Sequence, residues 1–359
     1  MNPVKLLFAL VLVLMGYLLL WPVEVDPKVW IPSTNPGFTG PYDSNEALAE
    51  ATYLDLPDGE FGPEDITVGP AGQLVAGVNS GKILTIDPDS GEATLLADTG
   101  GHPLGLEFDS TGILWVADPY KGLLKVSPLG EVTIVTNETS DGSPILYADD
   151  VDIASDGRVY FSDASTRFGA EQYGGTLEAS LLDLMEHSDN ARVLFYDPQT
   201  TRTEIFADGL TFANGVAVTA DGKGLLVSET GNYAIHRYSL TADSYGERTT
   251  IIDALPGFPD NINRMPDGSF WIGLVSPRSD SLDALAGSPF LRRVVSRLPA
   301  RLRPAPQRYG FIIRINEAGD ILANLQDPSG SYATTTGAMD LPDGRVAVSS
   351  LTESRIALF

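Results

Sequence analysis

One pattern recurs along most of the 359 residues: a short apolar strand, a turn ending in glycine, a second apolar strand, then a small or acidic residue. It is read in ITVGPAGQLVAG from Ile66, LEFDSTGILWVAD from Leu106, VDIASDGRVYFSD from Val151, VAVTADGKGLLVSE from Val216, INRMPDGSFWIG from Ile262 and MDLPDGRVAVSS from Met339. These six copies carry their turn glycines at 72, 112, 157, 222, 268 and 344, and most are followed by a second hairpin such as KILTIDPDSGEATLL. Four short antiparallel strands per unit at such spacing predict an all-β, six-bladed β-propeller. A sandwich does not repeat six times, and a doubly wound α/β fold needs a helix between successive strands. The last unit stops about one strand short at Phe359, while residues 51–56 lie ahead of the first unit. The amino-terminal strand is therefore expected to complete the last blade and close the ring, which removes free sheet edges.

Two units carry insertions. In TLEASLLDLMEH, Leu177, Leu181, Leu184 and Met185 recur at helical spacing, which predicts a short amphipathic helix in blade three. In blade five, residues 279–308 hold Arg292, Arg293, Arg297, Arg301, Arg303 and Arg308, with no acidic residue between Asp283 and Glu317. Leu291, Val294, Val295 and Leu298 give this segment one apolar side. Two readings of it stand: a lid helix over one mouth of the propeller, or contact of the Arg-rich segment 291–308 with an anionic membrane surface.

The amino terminus is of another kind. Residues 6–23 carry no charge, follow Lys5, and are long enough to cross a hydrocarbon core of ~30 Å. No small-residue cleavage pattern follows them, so residues 1–23 read as an uncleaved transmembrane signal anchor. Residues 24–46, with prolines at 27, 32, 36 and 41, read as an extended linker, and residues 47–359 as the propeller. With Lys5 on the cytoplasmic side, the propeller is expected on the extracytoplasmic side, in periplasm, lumen or cell exterior. The 23 Lys plus Arg against 48 Asp plus Glu leave a net charge of −25, which repels a polyphosphate backbone and excludes nucleic acid as an expected partner. The absence of cysteine excludes disulfides, a thiol nucleophile and cysteine-based metal sites.

Propeller chemistry gathers where the innermost strands converge. At or just before the first strand of four units stand Glu64 and Asp65 in GPEDI, Asp149 and Asp150 in YADDV, Asn214 in FANGV, and Asp260 and Asn261 in FPDNI. Asp and Asn at a single strand start serve commonly as turn residues. Four oxygen-bearing side chains in matching positions instead predict a hard-cation cage of Glu64, Asp149, Asn214 and Asp260 around one Ca2+ ion, which takes six to eight oxygen ligands. Zinc fits poorly because no histidine accompanies them. His102 in GGHPLGLEF and Asn261 are candidate pocket-lining residues, and with no G-x-S-x-G turn a Ser–His–Asp triad has no support.

In its anchor, GPEDI, PLGLEFD, FANGVAVTADGKGLLVSET, PGFPDNINRMPDGSFWIG and SPFLRRVVSRL, the chain resembles the strictosidine synthase-like proteins, especially the adipocyte plasma membrane-associated type, from about residue 48 onward. The resemblance implies a six-bladed architecture shared with the paraoxonases, the gluconolactonase or regucalcin group and diisopropylfluorophosphatase. It implies Glu64 as the blade-one glutamate ligand, Asn214 as an amide ligand and Asp260 as the aspartate ligand; Asp149 stands where these families usually have Asn. Strictosidine synthase itself carries a catalytic glutamate in the last blade, where this chain runs from Thr334 to Asp340 without one. Condensing an amine with an aldehyde needs a positioned acid or base, so that reaction is not expected. The expected activity is calcium-dependent hydrolysis of a small-molecule lactone or aryl ester, with Asp260 as the base, by resemblance to the gluconolactonase group, and Glu64 as the second candidate. The alternative is a membrane-tethered binding propeller in which calcium only plugs the channel.

Overall fold

Each repeat forms one four-stranded antiparallel sheet, and there are six such sheets. The computed structural model describes residues 3–359. The inner strands of neighbouring sheets touch in a closed cycle, blade one to two and onward through six back to one, so the sheets stand as blades around a central channel. Five sheets follow chain order from the inside outward; the sixth is built from Thr335–Asp340, Val346–Ser350 and Arg355–Leu358, with Thr52–Asp55 as its outer strand. Thr52 pairs with Leu358 and Asp55 with Arg355, so the amino-terminal strand closes the ring as the sequence predicts.

The turn glycines have a conformational reason. At 72, 112, 157, 222, 268 and 344 the backbone adopts φ between 69° and 93°, which a side chain disfavours. The acidic residues that end several units have a hydrogen-bonding reason. Asp118 accepts from His102 N (2.9 Å), Asp163 from Tyr147 N (2.9 Å) and Glu229 from Thr211 N (2.8 Å), each fixing the segment that leads into its own blade's inner strand. These carboxylates are buried, and each would otherwise leave a buried backbone donor unpaired.

The predicted insertions are helical. The amino-terminal helix α1 spans Pro3–Leu20, has no buried residue, and is long and apolar enough to cross a membrane. It ends just before Trp21 because Pro22 cannot continue the ladder and restricts the residue ahead of it. Helix α2, Thr176–Glu186, lies between the second and third strands of blade three. In blade five, α3 (Asp280–Leu285) and α4 (Pro289–Ser296) start behind Ser279 and Ser288, whose hydroxyls accept from Leu282 N and Leu291 N.

Two expectations are modified. The apolar side of the Arg-rich segment supplies only part of its buried contact: Val295 packs on the core, but Leu291 is 46% exposed and the residue fully buried in α4 is Arg292, at 0%. Arg292 donates to the carbonyls of Met185 (3.0 Å), Glu186 (3.4 Å), Ala286 (3.3 Å) and Lys28. These include the carboxyl-terminal ends of α2 and α3, where carbonyls lack helical partners. The segment at 24–46 is extended but not a free tether. Lys28 N donates to Glu186 O (2.9 Å), Arg278 Nη2 donates to Ser33 O (2.7 Å), and Val25, Trp30 and Tyr42 are buried against the propeller. Burial of those three apolar side chains straps the segment down.

Candidate functional site

The six inner strands share one register. Ile66, Leu106, Val151, Val216, Ile262 and Ala338 pair with Ala76, Val116, Phe161, Val227, Ile272 and Val348 of the next strand. Two residues earlier, the corresponding positions are Glu64, Leu104, Asp149, Asn214, Asp260 and Thr336. In blades three to six the pairing shifts across this point, between Ala148 and Val151, Ala213 and Val216, Pro259 and Ile262, and Thr335 and Ala338. Such bulges re-aim side chains out of the strand's alternation, which is how Asp149, Asn214 and Asp260 come to line the same cavity as Glu64.

The paired acidic residues divide their work. Asp65, next to Glu64, accepts from Leu106 N of blade two (2.9 Å) and Asn263 Nδ2 of blade five (3.0 Å). Asp150, next to Asp149, accepts from Val216 N of blade four (2.8 Å). These second carboxylates staple neighbouring blades, with Asp65 also reaching blade five, and the first ones face the site.

Around the first ones the structure brings Asn261, which the sequence places at the pocket, and four residues that sequence reasoning missed, Thr336, Ser349, Arg192 and Tyr147. Asn261 Nδ2 donates to Glu64 Oε1 (3.2 Å), and Thr336 Oγ1 donates to the Glu64 carbonyl and accepts from Ser349 Oγ (2.8 Å). Arg192 donates to Asp163 at 2.8 Å, locking the turn before Asp149, and Tyr147 Oη donates to Thr176 O (2.9 Å) at the start of α2. Thr336 and Tyr147 lie within two residues of the repeat position, so aligning all six inner strands is the signal that finds them. The expected lining residue His102 does line the cavity; burial pushes its imidazole down to about 4, leaving it neutral near pH 7. Asn261 lies behind Glu64 rather than in the cavity wall. Asp340, the one carboxylate near the last-blade position, accepts from Trp271 Nε1 (2.8 Å) and Arg314 Nη2 (2.9 Å) and does not line the cavity.

Glu64, Asp149, Asn214 and Asp260 are all buried, and Asn214 donates its amide to Asp260 Oδ1. Burial first, then the charges of Asp260 and Asp149, hold the Glu64 carboxyl well above the ordinary range, and burial with Asp260 does the same to Asp149. Burial pushes Asp260 to about 8 against the opposing Asn214 hydrogen bond. Among the described residues no group of three or more His, Cys, Asp or Glu forms a ready-made metal cluster. The donor set here is three carboxylates and an amide. One oxygen of each, Glu64 Oε2, Asp149 Oδ2, Asn214 Oδ1 and Asp260 Oδ2, is buried without a hydrogen-bond partner among the described residues. Unpaired buried oxygens are costly, and four in one register fit the hard, oxygen-seeking chemistry of calcium.

These residues form part of the wall of one cavity of about 1060 Å³. Leu104, Phe212, Phe258, Val275, Leu282 and Met185 give it apolar walls. Residues 149–243 match the family model for strictosidine synthase, and residues 40–86 match that for the strictosidine synthase-like amino-terminal region. The adipocyte plasma membrane-associated protein of Salmo salar is 31% identical over 377 residues, covering 96% of this chain and 88% of that protein. The chain belongs to the strictosidine synthase-like family. Strictosidine synthase-like 13 of Arabidopsis thaliana is 35% identical over 236 residues, 64% of this chain and 57% of that protein. Among solved structures, a gluconolactonase from Xanthomonas campestris aligns with a TM-score of 0.63 at 17% identity, covering 94% of this chain and 98% of its own. A calcium-binding regucalcin from Agrobacterium tumefaciens aligns with a TM-score of 0.57 at 15% identity, covering 88% and 93%. At these identities the two structures show the shared propeller fold. Within this strictosidine synthase-like chain, the last-blade ring position is occupied by Thr336, whose hydroxyl is committed to Glu64 and Ser349.

Proposed function

We propose that the chain is a membrane-anchored, calcium-dependent hydrolase of lactones or aryl esters, held by α1 with its propeller on the extracytoplasmic side. The observation that carries this reading is the set of four unpartnered buried oxygens on Glu64, Asp149, Asn214 and Asp260 in the wall of a largely apolar cavity. The gluconolactonase and regucalcin names of the structural neighbours support it at the level of class. Calcium held by these four residues supplies a Lewis acid for an ester or lactone carbonyl.

The chain's own groups do the rest. Asp260 is the base: its carboxylate takes a proton from the attacking water. Asn214 holds Asp260 Oδ1 and so fixes the orientation of the carboxylate. Glu64 is the second candidate, oriented by Asn261 and through its backbone by Thr336. The apolar walls exclude competing water and receive the body of the substrate. An amine-condensing reaction finds no carboxylate at the last-blade position, where Thr336 stands. The test is a screen of the full chain, in detergent micelles, against a panel of lactones and aryl esters with and without a calcium chelator. Chelator-sensitive turnover is expected. Tight calcium binding without turnover of any panel member overturns hydrolysis and favours the binding propeller.

A further inference from the structure

The cavity has a property that a site for a small, water-soluble ester does not need. Its volume of about 1060 Å³ reaches the upper end of ordinary ligand pockets, which run to about 1,000 Å³. Its acidic wall carries Glu64, Asp149 and Asp260, whereas another part of its wall is α2, whose Leu177 and Leu181 line it while remaining 42% and 36% exposed. Along α2 the cavity wall thus includes an apolar pair one helical turn apart that the described residues cover only in part, beside Glu178 and Ser180. Part of the rim is formed by residues 22–25, the first residues after α1.

That rim is fixed to α1. Tyr17 Oη donates to Arg297 O (3.0 Å), and Arg297 donates from Nη1 to Leu18 O (3.0 Å) and from Nε to Trp21 O (2.5 Å). Arg297 therefore caps the carboxyl-terminal carbonyls of α1, as a cation at a helix end is suited to do. Asp26 N donates to Glu186 Oε2 (2.6 Å) at the end of α2. The helix is thereby clamped beside the cavity, and Trp21, Phe290 and Leu302 lie exposed nearby in sequence to these clamped segments. A cavity lined in part by the residues that directly follow a membrane anchor lies close to the bilayer surface, where dissolved amphiphiles are concentrated.

We propose that the ligand of this cavity is a single-chain amphiphile drawn from the bilayer: a lactone or ester head group facing the carboxylate-lined wall and a long alkyl or acyl chain along Leu177 and Leu181. The ester or lactone head rests on the hydrolase reading above; the chain rests on the cavity wall alone.

The experiment measures binding, independently of turnover. The full chain in phosphatidylcholine nanodiscs is titrated, in calcium, with γ-lactones bearing alkyl chains of about two and about twelve carbons, by displacement of a fluorescent fatty-acyl probe; burying each methylene contributes about 0.8 kcal/mol, about fourfold in affinity. The long chain is expected to bind at least about a hundredfold more tightly, counted per lactone free in water. In the double variant Leu177→Glu, Leu181→Glu, whose sites are partly exposed, that ratio is expected to fall toward one. Ile134→Glu, an exposed apolar position on the outer strand of blade two, is expected to keep it. Equal affinity for both chains, or an undiminished ratio in the double variant, overturns the proposal. Chain-dependent binding without turnover supports it while overturning hydrolysis, and turnover of short esters with no chain preference does the reverse.

Discussion

Asn214 and Asp260 stand on neighbouring blades, and the Asn214 side-chain amide donates to one carboxylate oxygen of Asp260 while the other has no protein partner. The contact joins two of the four proposed calcium ligands. It also makes Asp260 the most informative position to change, because Asp260→Asn removes a charge and keeps the shape.

Calcium dependence is therefore expected in stability. An ion bound only by the folded state at a hundredfold excess over Kd adds about 2.7 kcal/mol. The melting temperature of the full chain in micelles should fall on chelation and recover on adding calcium. Asp260→Asn should reverse the order of stabilities: without calcium it should melt no lower than wild type, since one carboxylate leaves a crowded buried group, and with calcium it should gain less. An unchanged melting temperature in protein assayed as metal-free at the outset would remove the cage assignment.

Turnover should separate Asp260 from Asp340. Removing a general base lowers kcat by about 10² or more, so Asp260→Asn assayed at saturating calcium should lose at least that factor with little change in KM. Asp340→Asn should leave turnover intact, because Asp340 is bonded to Trp271 and Arg314 outside the cavity. Equal losses in both variants, with calcium still bound, would count against Asp260 as base.

Acid sensitivity should trace in part to His187. It is buried, stacks on Trp30 at 4.0 Å, and has its imidazole pushed down to about 4, chiefly by burial. A folded value below the ordinary 6.5 means that the unfolded chain binds the extra proton. The His187 contribution is thus fully present above about 6.5 and is lost as pH falls toward 4, by of order 3 kcal/mol. His187 ends α2 at φ 53°, a conformation Asn tolerates, so His187→Asn should flatten the decline in denaturation midpoint between pH 7 and 4 relative to wild type. A parallel decline in both would show that the histidine is not its source.

Arg292 should prove structural. Arg292→Met leaves the carbonyls of Lys28, Met185, Glu186 and Ala286 without their donor, an expected loss of about 2–4 kcal/mol. Hydrogen exchange should rise locally in α2, in α4 and around residue 28. Arg292→Lys should recover only part of the loss, since an ammonium cannot reproduce the planar fork.

Close approach of two blades should make Gly215 sensitive. A Cβ there would come within 2.5 Å of both Asp260 O and Ile262 N, which are backbone atoms and cannot swing away. Gly215→Ala should destabilise by about 1–3 kcal/mol and weaken calcium binding as well, because it separates Asn214 from Asp260. Intact calcium affinity with lowered stability would show that the Asn214–Asp260 spacing does not matter.

The blade count, the closing strand and the positions of Glu64, Asp149, Asn214 and Asp260 were legible in the chain because they rest on local patterns: two-residue alternation and a glycine forced to positive φ in all six units, and a carboxylate or amide at a fixed offset in four of them. The bulges were not legible, since a shift in pairing at Asp149 or Asp260 is a relation to the neighbouring strand. Nor was the division of labour within GPEDI and YADDV, which depends on Leu106 N and Val216 N arriving from the next blade. The blade-five helix departs furthest from its sequence pattern. Its spacing assigns an apolar inward side, yet Arg292 is the residue buried, because carbonyls from residues 28, 185, 186 and 286 converge on the two terminal nitrogens of its guanidinium. Local periodicity determines which elements form; which side of an element is buried, and what lies beside the anchor, depends on unpaired polar groups that distant segments bring together.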